Sequence, residues 1–191
     1  MILGSHNSWS YLPVRKWWMK PLAFTARCQS VDIKTQYEKY GVRCFDLRIR
    51  FKKDGTLAIA HGFIEYDYNL TRLNEDLRWL MTKEDCMVRI LHEVRNKRQY
   101  SENSRDQFWL FCEAKSKLYL NIRWWCGRNL YNWEKDYDFG EDPKCDEKYA
   151  SVCPPKIVDD WWPWLYARLH NRKNLKEGSE GILLIDYVNI K

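Results

Sequence analysis

Short segments of strand character alternate along this chain with longer segments of helical periodicity. Apolar or alternating side chains over four to nine residues predict β-strands. These strand predictions cover residues 2–6, 43–51, 57–61, 87–93 and 182–188, with a weaker one over 117–122. Apolar residues at helical spacing predict helices over 71–83, with Thr71 as its N-cap, over 104–115, and after Asp160, with Pro163 in the first turn. This alternation is typical of an α/β fold with a mostly parallel sheet, open or barrel-shaped.

The chain has 191 residues, a length typical of one domain. It contains no internal repeat and no linker rich in glycine, serine or proline, so we predict a single domain over residues 1–191. Residues 123–155 interrupt the alternation with scattered charges, and we predict a long functional or covering loop there.

The second predicted strand has two faces of different polarity. Phe45, Leu47 and Ile49 share one face, and Asp46 and Arg48 lie on the other. In a barrel the apolar face packs under the outer helices and the polar face points inward. An inward Asp and Arg at the carboxyl end of a strand lie where barrel enzymes have their active sites. An ion pair on a solvated sheet face explains the same pattern without a function.

Two of the four histidines end predicted strands, His6 the first and His61 the third. We expect both at one rim of the sheet. Because histidine titrates near neutral pH, two imidazoles beside a phosphate can act as base and acid, and Arg48 can offset the charge on the phosphoryl oxygens. Taken singly, each histidine is more often structural.

Three further charged residues are expected near this rim. Glu93 shares a strand face with Arg89 and can reach the rim, while the neighbouring His92 is expected to point into the packing layer. Asp186 lies within an apolar strand, where a carboxylate needs a partner, and orienting an imidazole would supply one.

The charge balance favours anionic partners. The formal net charge is +6 and the isoelectric point is near 8.9. Lys16, Trp17, Trp18 and Lys20 place cations beside indoles, as suits an anionic lipid surface. The alternative is that one indole belongs to the core and the other covers it.

The seven cysteines are odd in number and include no CxxC pair, so neither a disulfide framework nor a zinc ribbon is indicated. Neither a signal peptide nor a membrane-spanning segment is evident in the sequence. We expect a cytoplasmic protein with free thiols, unless the chain was trimmed from a secreted precursor.

Four segments together resemble the X domain of the phosphatidylinositol-specific phospholipase C superfamily, and more closely its bacterial type. They are GSHNS at 4–8, GVRCFDLR at 41–48, HG at 61–62 and LIDYV at 184–188. The resemblance implies a TIM-like barrel, distorted or, because the chain is short for such a barrel, incomplete. It also implies cleavage of phosphatidylinositol into diacylglycerol and a cyclic inositol phosphate at a membrane surface.

Carried over by position, the resemblance implies a role for each of five residues. His6 is the general base, and His61 is the general acid toward the diacylglycerol oxygen. Arg48 stabilises the pentacoordinate phosphorus, Asp186 orients His6, and Asp46 holds either Arg48 or the hydrogen bonds of the site. Arg89 is expected to support the site.

One departure bears on metal dependence. Asn7 stands where metal-independent bacterial members have an aspartate, and it resembles a calcium ligand of the eukaryotic enzymes, for which Asp46 and Glu93 would complete the set. Arg48 occupies a position that is acidic in the calcium enzymes, so a fixed cation there replaces the metal. We therefore expect no cofactor, with Ca²⁺ as the alternative.

Other functions remain open. A catalytically inactive X-domain protein that binds lipid is one, and a phosphodiesterase for glycerophosphodiesters, sphingolipids or RNA is another. The basic, aromatic composition also suits nucleic acid, but no RNA-binding signature is present, so no nucleic-acid partner is expected. We expect a monomer.

Overall fold

The computed structural model describes residues 1–52, 54–67, 69–94, 102–130, 135–139, 162–177 and 182–190. The strands are β1 (Ile2–Ser5), β2 (Cys44–Phe51), β3 (Leu57–His61), β4 (Ile64–Glu65), β5 (Met87–Val94), β6 (Arg123–Leu130), β7 (Lys135–Phe139) and β8 (Ile182–Ile185). The helices are α1 (Ile33–Tyr40), α2 (Leu70–Met81), α3 (Glu102–Leu118), α4 (Pro163–Glu177) and a 3-10 helix over Trp17–Thr25. Among these described helices, none has both the length and the apolar character that crossing a bilayer requires.

The strands form one mixed sheet in which β8, β1, β2, β5 and β6 run parallel in that order. One edge of β2 is covered by β5. Its other edge is shared, because β1 pairs in parallel with Cys44 and Phe45 while β3 pairs antiparallel farther along. Within the described ranges the sheet does not close, since β7 and β8 each pair with one strand only. The predicted α/β class is confirmed, and the open mixed sheet agrees with a distorted barrel.

The helix predictions agree with the structure in position, with one correction at a cap. The side chain of Asn69, rather than that of Thr71, caps α2 by accepting a hydrogen bond from the backbone N–H of Thr71 at 2.8 Å. α4 begins at Pro163, as expected for a residue tolerated in the first turn. Asp160, the predicted cap of α4, lies outside the described residues.

Two predictions between α3 and α4 are wrong. Residues 117–122 do not form a strand, because α3 continues to Leu118 and the next strand begins at Arg123. The predicted loop over 123–155 contains β6 and β7, and the rest of that segment lies outside the described residues. α1, the 3-10 helix and β4 were not predicted from the sequence.

The apolar face of β2 lies in the core, as its alternation predicts. Phe45, Leu47 and Ile49 are fully buried, in one hydrophobic cluster with Leu77 of α2 and Phe108 of α3. Burial of side chains of this size stabilises the fold by roughly 1.5 to 3 kcal/mol each. The opposite face of β2 is therefore free to direct its polar side chains toward the site.

His92 belongs to this core and not to the rim. Its ring stacks on Phe108 with centroids 5.0 Å apart and an angle of 13° between the planes. The prediction that His92 points into the packing layer is confirmed. His170 on α4 packs instead against Tyr166, at 4.4 Å between ring centroids.

We predict that Gly4→Ala destabilises the fold. Gly4 lies between Cys44 of β2 and Leu184 of β8, and a Cβ there would collide with the Leu184 side chain and lie 3.2 Å from the Cβ of Cys44. Overpacking of this kind lowers the free energy of unfolding by about 1 to 3 kcal/mol, measurable by urea denaturation. Leu184→Val shortens the colliding side chain, so the double variant should lose less stability than the sum of the single variants. Additive losses would contradict this prediction.

Candidate active site

Parallel pairing of β1 with β8 brings His6 and Asp186 together. Ser5 and Ile185 are aligned in register, and each is followed directly by one of the two residues. His6 Nδ1 lies 2.7 Å from Asp186 Oδ1, and both side chains are buried. A carboxylate beside Nδ1 favours the tautomer with its proton on that atom, which leaves Nε2 as the basic nitrogen. The predicted pairing of His6 with Asp186 is present.

His61 lies beside His6, but it is carried by an antiparallel strand. β3 runs antiparallel to β2, so its last residue returns to a level close to the end of β1. The rings of His6 and His61 are perpendicular, with centroids 5.2 Å apart. Nδ1 of His61 lies 2.9 Å from the carbonyl oxygen of Ala26, to which it donates, so the proton-accepting nitrogen of this ring is Nε2.

The polar face of β2 supplies a buried ion pair beside these rings. Asp46 Oδ2 accepts from Arg48 Nε at 2.8 Å and from the backbone N–H of Asn7 at 3.0 Å, and Oδ1 lies 3.4 Å from Arg89 Nη1. Burial alone would raise the pKa of Asp46, but the charges of Arg48 and Arg89 outweigh it and hold this pKa below its ordinary range. Asp46 is therefore a carboxylate at any pH near neutral.

Glu93 holds Arg48 from the opposite side. Its Oε2 lies 3.4 Å from Arg48 Nη1, and its Oε1 accepts from the backbone N–H of Gly62 at 2.9 Å. Burial opposes ionisation of Glu93, yet the charge of Arg48 prevails and lowers the pKa of this carboxyl. The prediction that Glu93 reaches the rim is confirmed, and Arg48 is fixed between two carboxylates.

These contacts disagree with a calcium ion held by Asn7, Asp46 and Glu93. Calcium takes six to eight oxygen ligands, several of them from carboxylates. Both carboxylates of the candidate set accept instead from arginines, and Arg48 between them places a fixed cation there. The residues at this rim do not fit a calcium ion.

Asn7 is placed at the site but its side chain is unusual. It is buried in a left-handed backbone conformation, with φ at 43°, which is uncommon for a residue other than glycine. Within the described part of the chain, neither its amide nitrogen nor its amide oxygen has a hydrogen-bond partner. Buried amides without partners are rare, and strained residues cluster at functional sites.

Residues 26–29 lie beside the site although the sequence analysis did not select them. The Gln29 side chain donates to the carbonyl oxygens of His6 at 3.1 Å and Ile185 at 2.9 Å, which fixes the ends of β1 and β8 together. Cys28 Sγ lies 3.6 Å from His61 Nδ1. These residues belong to no strand or helix, and no local sequence pattern could have indicated them.

The four predicted lipid-contact residues lie at the protein surface. Trp17 and Trp18 on the 3-10 helix are 74% and 56% exposed, and Lys16 and Lys20 are exposed too. The idea that one indole of this pair belongs to the core is wrong. The helix nevertheless ends next to the site, because its C-cap is Ala26, whose carbonyl accepts from His61.

Comparison with known proteins finds bacterial enzymes of one kind. The chain is 32% identical over 84 residues to the 1-phosphatidylinositol phosphodiesterases of Staphylococcus aureus strains Newman and NCTC 8325 / PS 47. The alignment covers 42% of this chain but only 24% and 23% of those relatives, so it spans about a quarter of their length. No family model matches the chain.

Solved structures show the same fold over nearly the whole chain. The phosphatidylinositol-specific phospholipase C from Listeria monocytogenes superposes with a TM-score of 0.62 at 18% identity, covering 97% of this chain and 87% of that one. A point mutant of the Staphylococcus aureus enzyme gives 0.60 at 15% identity, covering 97% and 84%. At these identities the likeness establishes the architecture, and the chemistry rests on the residues described above.

The environment of His61 predicts an unusual titration. Burial, followed by the charge of Arg48, lowers the pKa of His61 to about 4. An unfolded histidine titrates near 6.5, so between pH 6.5 and 4 the unfolded chain takes up a proton that the native protein does not, and the free energy of unfolding falls as the pH decreases through this window. NMR titration of the imidazole signals should find His61 neutral at pH 6.

His61→Gln serves as the control for this titration. It assigns the His61 signal by its absence, and it removes the part of the pH dependence of unfolding that this ring causes. A His61 signal that titrates near 6.5 in the folded wild-type protein would be incompatible with the buried, cation-flanked position described here.

Proposed function

We propose that this chain is a phosphatidylinositol-specific phospholipase C of the X-domain type, closer to the bacterial enzymes, and that it cleaves phosphatidylinositol without a metal ion. The observation that carries the proposal is the pair of perpendicular imidazoles 5.2 Å apart, flanked by Arg48, with His6 hydrogen-bonded to Asp186. The products are diacylglycerol and a cyclic inositol phosphate.

The reaction assigns a different task to each imidazole. Nε2 of His6 takes the proton of the inositol 2-hydroxyl, whose oxygen attacks the phosphorus. Asp186 holds the His6 ring in its tautomer and stabilises the imidazolium that forms. His61 gives its proton to the diacylglycerol oxygen as the bond from that oxygen to phosphorus breaks, and the cyclic phosphodiester remains.

Arg48 supports the transition state because its charge is fixed before the substrate arrives. The contacts with Asp46 and Glu93 hold the guanidinium in place, and preorganised charge of this kind needs no rearrangement during the reaction. An anionic phosphodiester also offsets the effect of Arg48 on His61. Substrate binding therefore raises the pKa of His61 from its low value, and the ring takes up from solvent, at Nε2, the proton that it later gives to the leaving oxygen.

The same contacts support metal-independent catalysis. The carboxylates of Asp46 and Glu93 are occupied by Arg48, which stands where a metal would otherwise stabilise the phosphoryl oxygens. Arg89 supports this arrangement from β5 through Asp46, and Asn7 places its backbone N–H on the same carboxylate.

The lipid-facing surface is the exposed side of the 3-10 helix with the start of α4. We define this aromatic surface by its exposed side chains, which are Lys16, Trp17, Trp18, Lys20, Leu22, Phe24 and Trp162. Phe24 and Trp162 contact each other edge to face at 6.0 Å, which joins the two elements. Indoles and lysines together suit the headgroup region of an anionic bilayer.

Replacing either histidine is expected to abolish most of the activity. His6→Ala and His61→Ala should each lower the turnover number by about 10²- to 10⁴-fold, because each removes a general acid or base. Asp186→Asn should also lower it, because an amide no longer fixes the His6 tautomer. The measurement is release of water-soluble inositol phosphate from phosphatidylinositol vesicles, with chelator and with added Ca²⁺.

His170→Ala is the matched control, since this histidine lies on α4 and contacts Tyr166. It should retain wild-type activity. Full activity of His6→Ala, an absolute requirement for Ca²⁺, or cleavage of RNA or glycerophosphodiesters but not of phosphatidylinositol would each contradict the proposed function.

Vesicle binding should depend on the aromatic surface. Lys16→Gln and Lys20→Gln should each weaken partition onto phosphatidylinositol-containing vesicles by about 1 kcal/mol, or roughly fivefold, and the loss should shrink at high salt. Trp17→Ala with Trp18→Ala should weaken binding at any salt concentration. Sedimentation with vesicles measures both effects. Leu120→Ala, which truncates an 80% exposed side chain outside this surface, should bind as the wild type does.

A further inference from the structure

Cys28 is a buried thiol beside both imidazoles, and the proposed reaction has no use for it. Among the described residues, His6, Cys28 and His61 form a cluster in which one ring nitrogen from each histidine and the Cys28 sulfur all lie within 4.8 Å of one another. Its Sγ also contacts the Ala26 carbonyl at 3.4 Å, on the same oxygen that accepts from His61. The proposed reaction therefore does not explain why this thiol lies beside the two histidines.

The separations within the cluster suit a tetrahedral transition-metal ion. Zinc binds sulfur at about 2.3 Å and imidazole nitrogen at about 2.0 to 2.1 Å, so a sulfur and a nitrogen on one tetrahedral ion are about 3.6 Å apart. Cys28 Sγ and His61 Nδ1 are 3.6 Å apart. The remaining ligand separations are at most 4.8 Å, so the ligands would have to move closer together to bind one tetrahedral ion.

The donor set selects the kind of ion. Thiolate and imidazole are the ligands of zinc, whereas calcium and magnesium take oxygen ligands. His6 also has the carboxylate partner that metal-binding histidines commonly show, since Asp186 accepts from its Nδ1 and leaves Nε2 for an ion. Three protein ligands leave the fourth position of a tetrahedral ion to water.

We propose that His6, Cys28 and His61 form a zinc site, and that zinc bound there inhibits the enzyme by occupying both imidazoles. On binding, the Cys28 thiol releases its proton to solvent and its sulfur bonds to the ion. The His61 ring gives up its hydrogen bond with Ala26, its proton passes by way of solvent from Nδ1 to Nε2, and Nδ1 bonds to the ion. The inhibition rests on the proposed function, but the binding does not.

Cobalt(II) tests the binding without reference to activity. Cobalt occupies zinc sites and gives a thiolate-to-cobalt charge-transfer absorption when cysteine is a ligand, and added zinc should bleach it. We expect this absorption in the wild type and in Cys86→Ala, a matched control that removes another buried thiol outside the cluster. Cys28→Ala and the near-isosteric Cys28→Ser should lack it, with urea midpoints that show both variants to be folded.

The affinity for zinc is expected to fall at least about tenfold in both Cys28 variants, as measured by competition with a chromophoric chelator. Absence of the charge-transfer absorption in the wild type, or its persistence in folded Cys28→Ala, would overturn the proposed site.

Phosphatidylinositol cleavage tests the inhibition. Zinc should inhibit the wild type reversibly, with activity restored by chelator, and should inhibit Cys28→Ala only at concentrations at least about tenfold higher. Equal sensitivity of the two proteins would overturn the inhibitory role. A cobalt–thiolate absorption in a protein that cleaves no phosphatidylinositol without metal would leave the site in place and contradict the proposed function alone.

Discussion

The buried carboxylate of Asp46 determines how the rest of the site is arranged. A charged group with no exposure in the middle of a sheet is tolerated only with partners, and removing one partner of such a pair costs about 3 to 5 kcal/mol. The partners of Asp46 come from the end of β1, from β2 itself and from β5, through Asn7, Arg48 and Arg89. The same contacts that stabilise this carboxylate therefore fix the guanidinium beside the two imidazoles. Stability of the fold and placement of the charge depend on one group.

The two histidines differ because their hydrogen-bond partners differ. Nδ1 of His6 contacts a carboxylate, which favours one tautomer and stabilises the imidazolium formed in the proposed reaction, whereas Nδ1 of His61 donates to the neutral carbonyl of Ala26. Burial and Arg48 then keep the pKa of His61 low. Enzymes commonly give one of two neighbouring titratable groups the role of base and the other the role of acid by placing them in different environments. In the proposed reaction His61 is neutral before the substrate binds, and the charge of the bound phosphodiester raises the pKa of the ring so that it takes up a proton from solvent.

Local sequence patterns predicted those parts of the structure in which the spacing of apolar side chains reveals which face is buried. The apolar and polar faces of β2 follow from the alternation of side chains such as Phe45 and Asp46. The histidines of the site were predicted because each one ends a predicted strand. The prediction of a strand over 117–122 failed because Tyr119 and Ile122 are buried beyond the end of a helix, where apolar residues have no period to reveal their conformation. Cys28 was missed because its contact with His61 joins positions 33 residues apart through a segment without regular structure. His61 was placed correctly at the rim, although the antiparallel return of β3 was not foreseen.

The carbonyl oxygen of Ala26 connects the aromatic surface to the site. It lies at the C-cap of the 3-10 helix and accepts hydrogen bonds from His61 at 2.9 Å and from the Tyr66 hydroxyl at 2.8 Å. Under the proposed function, this helix places Trp17 and Trp18 in the lipid headgroups. The end of the same helix orients His61, the general acid, through the Ala26 carbonyl. The helix and His61 are therefore joined through one backbone atom, the Ala26 carbonyl oxygen. Cys28 lies two residues farther along the same segment and its thiol donates to the same oxygen at 3.4 Å, so the thiol of the proposed zinc site and the imidazole of the proposed acid share this one carbonyl as their acceptor.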